Sequence, residues 1–329
     1  MKRAFTLVLL AMFAMTTMAQ KAPLTDGKVR LEAMQKQLQL RDKSEFKDLH
    51  WQFLGPTNLS GRATDVEAVK PKGSSYTIWV ATASGGVWKT ENEGNTWIST
   101  FDEQVTTDIG DLAIDPKNPD VVWVGTGEAN IFRSSMAGCG IYKTSDGGKS
   151  WKNMGLENTN TIGRVVIHPE NTSVVYVAAS GNEWTTNPER GVYKTSDGGK
   201  SWNEINTGLP VANQRGRIGI DIAPSNPDVL YILLDNYEIA YKAKAGQRDA
   251  YGRPKADVIK GATVYKSSNK GESWKKVSGL DKDTKRYMEG HSGTYGWVFA
   301  QIRVDPQDEN KIYTMGLFLN TSTDGGKTF

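Results

Sequence analysis

A chain of 329 residues with one cysteine and three histidines is poor in thiols and in soft metal ligands. Cys139 alone makes no intrachain disulfide, so stability in an oxidising compartment has to come from packing. It sits in Gly138-Cys139-Gly140-Ile141-Tyr142 with no histidine near it in sequence, and it reads as a small buried hydrophobe at the start of a strand. His50, His168 and His291 are scattered without metal-ligand spacing. No zinc, P-loop or dinucleotide signature occurs, so neither a metal nor a cofactor is expected. Charge of one sign is lacking too: 40 Lys and Arg face 37 Asp and Glu, a net charge of +3. That balance argues against a nucleic acid held on a basic surface. Apolar runs long enough to cross a bilayer are absent, so the chain is not expected to span a membrane. Nothing in the composition sets an oligomeric state.

The first residues read as an address. Lys2 and Arg3 precede an apolar run, Ala4 to Met15, and Thr17-Met18-Ala19 offers the small residues that a signal peptidase reads. Residues 1–19 are therefore expected to be a signal peptide cleaved near Ala19, leaving a secreted or periplasmic protein. No Cys follows the run, which argues against a lipid anchor. In residues 20–50, Leu31, Met34, Leu38 and Leu40 recur at roughly helical spacing among charged residues, which predicts a short amphipathic helix or a flexible leader. Trp51-Gln52-Phe53-Leu54-Gly55-Pro56 opens the β region, taken as 51–329.

Turn formers and aromatics are plentiful, with 34 Gly, 12 Pro and 10 Trp, and they recur with a period. Five segments share one pattern. They are Thr90 to Trp97, Thr144 to Trp151 (T-S-D-G-G-K-S-W), Thr195 to Trp202 (the same eight residues), Ser267 to Trp274 and Ser322 to Phe329, starting 54, 51, 72 and 55 residues apart. Trp88-Lys89, Tyr142-Lys143, Tyr193-Lys194 and Tyr265-Lys266 precede the first four. Ahead of the later copies stand turns such as Asp115-Pro116-Lys117-Asn118-Pro119-Asp120, with His168-Pro169 and Asp305-Pro306 in the equivalent places. Each unit holds four short strands, in the second about 109–115, 121–126, 140–145 and 150–154. Four antiparallel strands repeated at this interval make the blade of a β-propeller, since a lone blade buries neither face. The expected fold is all-β, about five blades with the last lacking its outer strand at Phe329, and further blades are expected beyond it.

Within each eight-residue segment an Asp or Asn accepts backbone N–H bonds, Gly supplies positive φ and the final aromatic packs against a neighbouring blade. Asn92, Trp97, Asp146, Trp151, Asp197, Trp202, Asn269, Trp274 and Asp324 are accordingly read as structural, because a feature recurring in every blade does not make a unique active site.

These segments match the Asp box. Together with Gly125-Thr126-Gly127-Glu128-Ala129-Asn130, Ser84 to Thr90 and Arg190 to Lys194, they resemble sortilin-type propellers with BNR repeats, whose secreted bacterial members often carry the name glycosyl hydrolase. The resemblance covers 51–329 and implies the fold. The same blade occurs in sialidases, xyloglucanases, sortilin-type receptors and photosystem assembly factors, so it does not select a chemistry. Sialidases use an arginine triad and an Arg-Ile-Pro-type motif, which Gly61-Arg62-Ala63-Thr64 echoes only loosely. Thr82 to Lys89 is closer to the xyloglucanases, and it places Ala83 where that family has a catalytic Asp.

Strand direction puts the second-to-third strand loops and the starts of the innermost strands on the face opposite the Asp boxes. That face collects Glu128, Arg133, Glu183, Trp184 and Arg190, with Arg62, Asp111, Arg164, Arg215 and Arg217 from strand starts. Arg62, Arg133, Arg164, Trp184 and Arg217 are the candidates for holding a glycan or peptide. Glu128 with Glu183 or Asp111 are the candidates for an acid/base pair in glycoside hydrolysis. Pairs such as Asp111–Arg164 also read as salt bridges between blades. Two functions remain: a binding platform for peptide or glycan, or a glycoside hydrolase on the same face. The insertion from Asp235 to Lys260, rich in Tyr and charge, is either a functional rim element or an excursion.

Overall fold

The period-two apolar runs of each repeat form antiparallel sheets whose buried residues face neighbouring sheets rather than water. A computed structural model describes residues 25–49, 62–69, 75–130, 136–182, 185–279, 300–316 and 318–329. The first blade is β1 (Ala63–Val69), β2 (Thr77–Thr82), β3 (Val87–Thr90) and β4 (Ile98–Ser99); the second is β5 (Ile109–Ile114), β6 (Val122–Thr126), β7 (Ile141–Thr144) and β8 (Lys152–Asn153). The third is β9 (Ile162–Ile167), β10 (Val175–Ala179), β11 (Gly191–Thr195) and β12 (Asn203–Glu204). The fourth is β13 (Arg215–Ile222), β14 (Leu230–Tyr241), β15 (Val258–Ser267) and β16 (Lys275–Lys276), and the fifth is β17 (Gln301–Val304), β18 (Ile312–Met315) and β19 (Leu319–Ser322). Every sheet is an antiparallel meander in chain order. Each innermost strand packs against that of the next blade, β1 on β5, β5 on β9, β9 on β13 and β13 on β17. The expected propeller is present, and the strands of its second blade fall within two residues of the expected bounds. Residues 1–19, 51–61, His50 and His291 lie outside the described residues.

Four hydrophobic clusters fill the four successive blade interfaces, one centred on Trp79, Phe101 and Tyr142, the next on Trp123, Ile162 and Val177. The others hold Tyr176, Ile218 and Trp274, and then Tyr231, Val264 and Ile302. The eight-residue turns lock these interfaces. Thr144 Oγ1 accepts from Gly148 N (3.0 Å) and donates to Asp146 Oδ1 (2.7 Å), which also accepts from Ser150 N (3.0 Å). Asn92 Oδ1 and Asn269 Oδ1 take the same bonds from Thr96 N and Ser273 N. Gly148 has φ +89°, and a Cβ there would come within 2.8 Å of the Trp79 ring, so only glycine suits the position.

The aromatic at the end of each turn then reaches back one blade. Trp151 Nε1 donates to Thr100 O (2.7 Å), Trp202 Nε1 to Met154 O (2.8 Å) and Trp274 Nε1 to Ile205 O (2.7 Å). Trp97 is 41% exposed, because it belongs to the first blade and no described blade precedes it. The lysine of each aromatic-Lys pair lies over a ring of the second strand: Lys89 on Trp79, Lys143 on Trp123, Lys194 on Tyr176 and Lys266 on Tyr231. His168 stands in for Asp at its turn, with Nδ1 accepting from Glu170 N (3.2 Å) and Asn171 N (3.1 Å).

The predicted N-terminal helix is α1 (Gly27–Asp42), capped by Asp26 Oδ1 accepting from Lys28 N at 2.8 Å. Leu31, Met34 and Leu38 are half-buried and Leu31 packs on the first blade interface, whereas Leu40 is exposed. Polar ties hold both ends to the propeller: Gly27 N donates to Asn158 Oδ1 (2.8 Å), and Arg41 Nη1 contacts Glu103 Oε1 (2.7 Å). This helix is not long and apolar enough to cross a membrane. The insertion is carried by a long hairpin: β14 and β15 run past the blade, and residues 242–257 form its tip.

Candidate functional site on the loop face

The antiparallel registers confirm two faces. Ala63 pairs with Thr82 and Ile109 with Thr126, so innermost-strand starts and second-to-third strand loops share one face, with the eight-residue turns on the other. Below the loop face, the innermost strands surround a cavity of about 90 Å³ lined by Asp65, Asp111, Arg164, Arg217 and Arg303 among others. Asp111 Oδ1 is 3.1 Å from Arg164 Nη1, and its other oxygen accepts from Val165 N at 2.7 Å. Asp65 lies 3.8 Å from the same guanidinium. Asp221 Oδ2 accepts from Val304 N (2.8 Å), repeating the bond from a carboxylate to the next blade's backbone. Burial pushes the Asp111 carboxyl up to about 7, with Arg164 pulling the other way.

Above this cavity lies the loop that follows β6. Gly127 has φ +92° and donates to Asp108 O (2.7 Å); a Cβ on it would sit 2.2 Å from Asn160 O. Its tightness brings the buried Glu128 carboxylate onto the half-exposed Arg62 of the first blade. From the fourth blade, Arg217 Nη1 donates to Ala129 O (2.9 Å) and Asn130 Oδ1 (2.6 Å). The loop of the second blade thus reaches over the axis and is tied on two sides.

Beside it the same face opens into a groove in two connected parts. One part, about 490 Å³, is lined by Asp26, Arg30, Asn158, Asn160, Asn187 and Glu189 among others. The other, about 320 Å³, shares Thr186, Asn187 and Pro188 and ends at Ala212 and Asn213. Four asparagines, Asn158, Asn160, Asn187 and Asn213, line these walls beside the charged Asp26, Arg30 and Glu189, and their carboxamides offer both donors and acceptors.

The residues expected on this face are thus distributed over three settings. Glu128 and Arg62 meet at the mouth, whereas Asp111, Arg164 and Arg217 lie beneath it around the axial cavity. Arg190 Nη1 donates to Arg215 O (2.9 Å) and Arg215 Nε to Pro210 O (2.5 Å), so both guanidinia bind backbone carbonyls. Arg133, Glu183 and Trp184 lie outside the described residues. Sequence reasoning passed over Asp65, Arg303 and the asparagines of the groove. Asn187-Pro188 was a usable turn signal, but single asparagines in loops carry no motif.

Comparison with known proteins finds similarity over parts of the chain. The Sortilin-Vps10 family model, described as sortilin, neurotensin receptor 3, matches residues 139–287. A probable oligoxyloglucan-reducing end-specific xyloglucanase of Neosartorya fischeri is 31% identical over 99 residues, which is 29% of this chain and 10% of that protein. Among solved structures, an ancestral GH74 enzyme superposes with TM-score 0.54 at 19% identity, over 80% of this chain and 28% of that one. A GH74 enzyme of Niastella koreensis gives TM-score 0.52 at 21% identity, over 75% of this chain and 34% of its own. The matched region therefore spans about a third or less of these relatives, and at such identities the superpositions speak for the fold. The class is a β-propeller with a polar, charge-paired axis. Over residues 139–287 the chain is similar to the sortilin-type family.

Proposed function

We propose that the protein is a secreted or periplasmic binding platform that takes a glycan or peptide along the groove of its loop face. In this reading residues 1–19 are the cleaved signal, 20–50 the leader and 51–329 the propeller. The observation that carries it is a contrast on one face. The described candidates for acid/base work, Glu128 and Asp111, are each held by an arginine, while a groove walled by Asn158, Asn160, Asn187 and Asn213 stands open beside them. Pairing with Arg62 favours the ionised form of Glu128 and so disfavours it as a proton donor, and Asp111 lies beneath the face around a small cavity, whereas amide groups suit the hydroxyls of a sugar or the backbone of an extended peptide. Ala83 at the position of the xyloglucanase Asp supports the same conclusion. Arg62 sits at the edge of this face, and Arg164 and Arg217 support it from beneath.

Hydrolysis remains the second reading, favoured by the likeness to a xyloglucanase. One experiment separates the two: the chain without residues 1–19 is incubated with plant, mucin and sialylated glycans, and reducing ends and bound glycan are measured together. Binding without new reducing ends, weakened about tenfold or more in Asn187→Ala, is the expected outcome; a tenfold loss corresponds to about 1.4 kcal/mol, the scale of one good hydrogen bond. Release that vanishes in Glu128→Gln would make the protein a glycosidase instead.

A further inference from the structure

The hairpin β14–β15 leaves the fourth blade on the loop face and carries a tip, residues 242–257, with a fold of its own. Lys255 N donates to Gln247 O (2.9 Å), Asp249 N to Arg253 O (2.8 Å), and Ala243 N to Asp257 Oδ1 (2.8 Å). Arg248 and Pro254 form a β-bridge. Asp249 Oδ2 holds Arg253 Nε (2.8 Å), and the guanidinium lies 5.0 Å over the Tyr251 ring, fixing that ring while leaving it 84% exposed. Such ordering is unusual for a segment with nothing to do, because fixing exposed residues costs entropy that no core burial here offsets.

The charge of the tip is one-sided. Lys242, Lys244, Arg248 and Lys255 are exposed, and among the described residues none of them has an ion-pair partner. Asp249 and Asp257 are both engaged in backbone bonds of the tip itself. The chain as a whole is nearly neutral, so this concentration is local rather than a general basic surface. Four exposed cations on one tip that also carries a fixed, exposed aromatic ring define a partner: Lys and Arg take carboxylates, and the flat ring takes the apolar face of a pyranose.

We propose that the arm is a second binding site, separate from the amide-lined groove, and that its ligand is an acidic polysaccharide bearing uronate carboxylates. The site needs several carboxylates spaced along a semi-rigid chain, so that the four cations bind together and avidity adds to each weak contact. It does not depend on the groove being the site of the main ligand.

The test uses the chain without residues 1–19 and polygalacturonic acid as probe, with neutral xyloglucan, poly-glutamate and phosphatidylserine/phosphatidylcholine vesicles as comparisons. Polygalacturonate is expected to bind, and to weaken at least about tenfold between 0.05 and 0.5 M NaCl as exposed charges are screened. Lys242→Glu with Lys255→Glu should weaken it by about tenfold or more, and Tyr251→Ala should weaken it at constant charge. Both sets lie on the exposed tip, so an unchanged thermal midpoint shows the propeller intact. Asn187→Ala should leave this binding unchanged, which keeps the arm's fate apart from the groove's. Failure of polygalacturonate to bind, equal binding by the tip variants, or stronger binding to poly-glutamate or the vesicles would each overturn the proposal.

Discussion

Trp151 shows what a single residue carries. Its ring meets Trp79 edge-on with centroids 6.4 Å apart and Phe101 at 5.1 Å, while its Nε1 satisfies a carbonyl of the preceding blade. Trp151→Ala removes aromatic packing and leaves Thr100 O without its donor. We expect a loss of about 3–5 kcal/mol in urea denaturation, in the range of large-to-small aromatic replacements. A loss below about 1 kcal/mol would mean that the ring is a passive cover. Trp97 has the same place in the pattern but is 41% exposed, with no described blade against it, so Trp97→Ala in this chain should cost far less. The comparison between two tryptophans in one motif isolates the interface from the turn.

At the scale of the element, the eight-residue turns make a statement about acid. Hydrogen bonds from the Ser150 hydroxyl and backbone, then from Thr144, hold the Asp146 carboxylate well below its ordinary range, and Asp197 and Asp324 are held down in the same way. A depressed native value means that the folded state favours the ionised form. The contribution is therefore present above the unfolded value of about 4 and is lost as pH falls below it. The urea midpoint should drop between pH 5 and pH 3. Asp146→Asn with Asp197→Asn, copying Asn92 and Asn269, should flatten that drop, and an unchanged slope would rule these turns out as its source. These elements were legible because their physics is local: a turn needs its Thr, Asp and Gly within a few residues, so the pattern survives as text. The long hairpin was not. The Tyr- and Lys-rich stretch after Asp235 has irregular register, with shifts at Asn236, Ile239 and Tyr241, so alternation is broken where the strands continue.

For the whole molecule, the axis matters most. Asp111 faces Arg164 in a space shared by the innermost strands, and its other oxygen holds Val165 of the next blade. Asp111→Ala leaves the Arg164 guanidinium in the cavity with Asp65, 3.8 Å away, as its remaining ion pair among the described residues and Asp221 acting on it at longer range. Breaking a buried pair on one side should cost about 3–5 kcal/mol, measurable by denaturation, whereas a neutral result would show that water solvates Arg164 through the cavity. Charged residues at the starts of innermost strands were visible in the sequence, because the repeat aligns them. Which of them pair with one another was not, since Asp111–Arg164 and Glu128–Arg62 join separate blades and leave no trace in spacing.

The loop after β6 changes how such a molecule comes apart. Tandem blades that touch only their neighbours are coupled pairwise, so one end can loosen before the other. By gripping Arg62 of the first blade and Arg217 of the fourth, Glu128, Ala129 and Asn130 draw a chord across the circle. The first four blades are therefore expected to come apart together, however modular the repeat that encodes them.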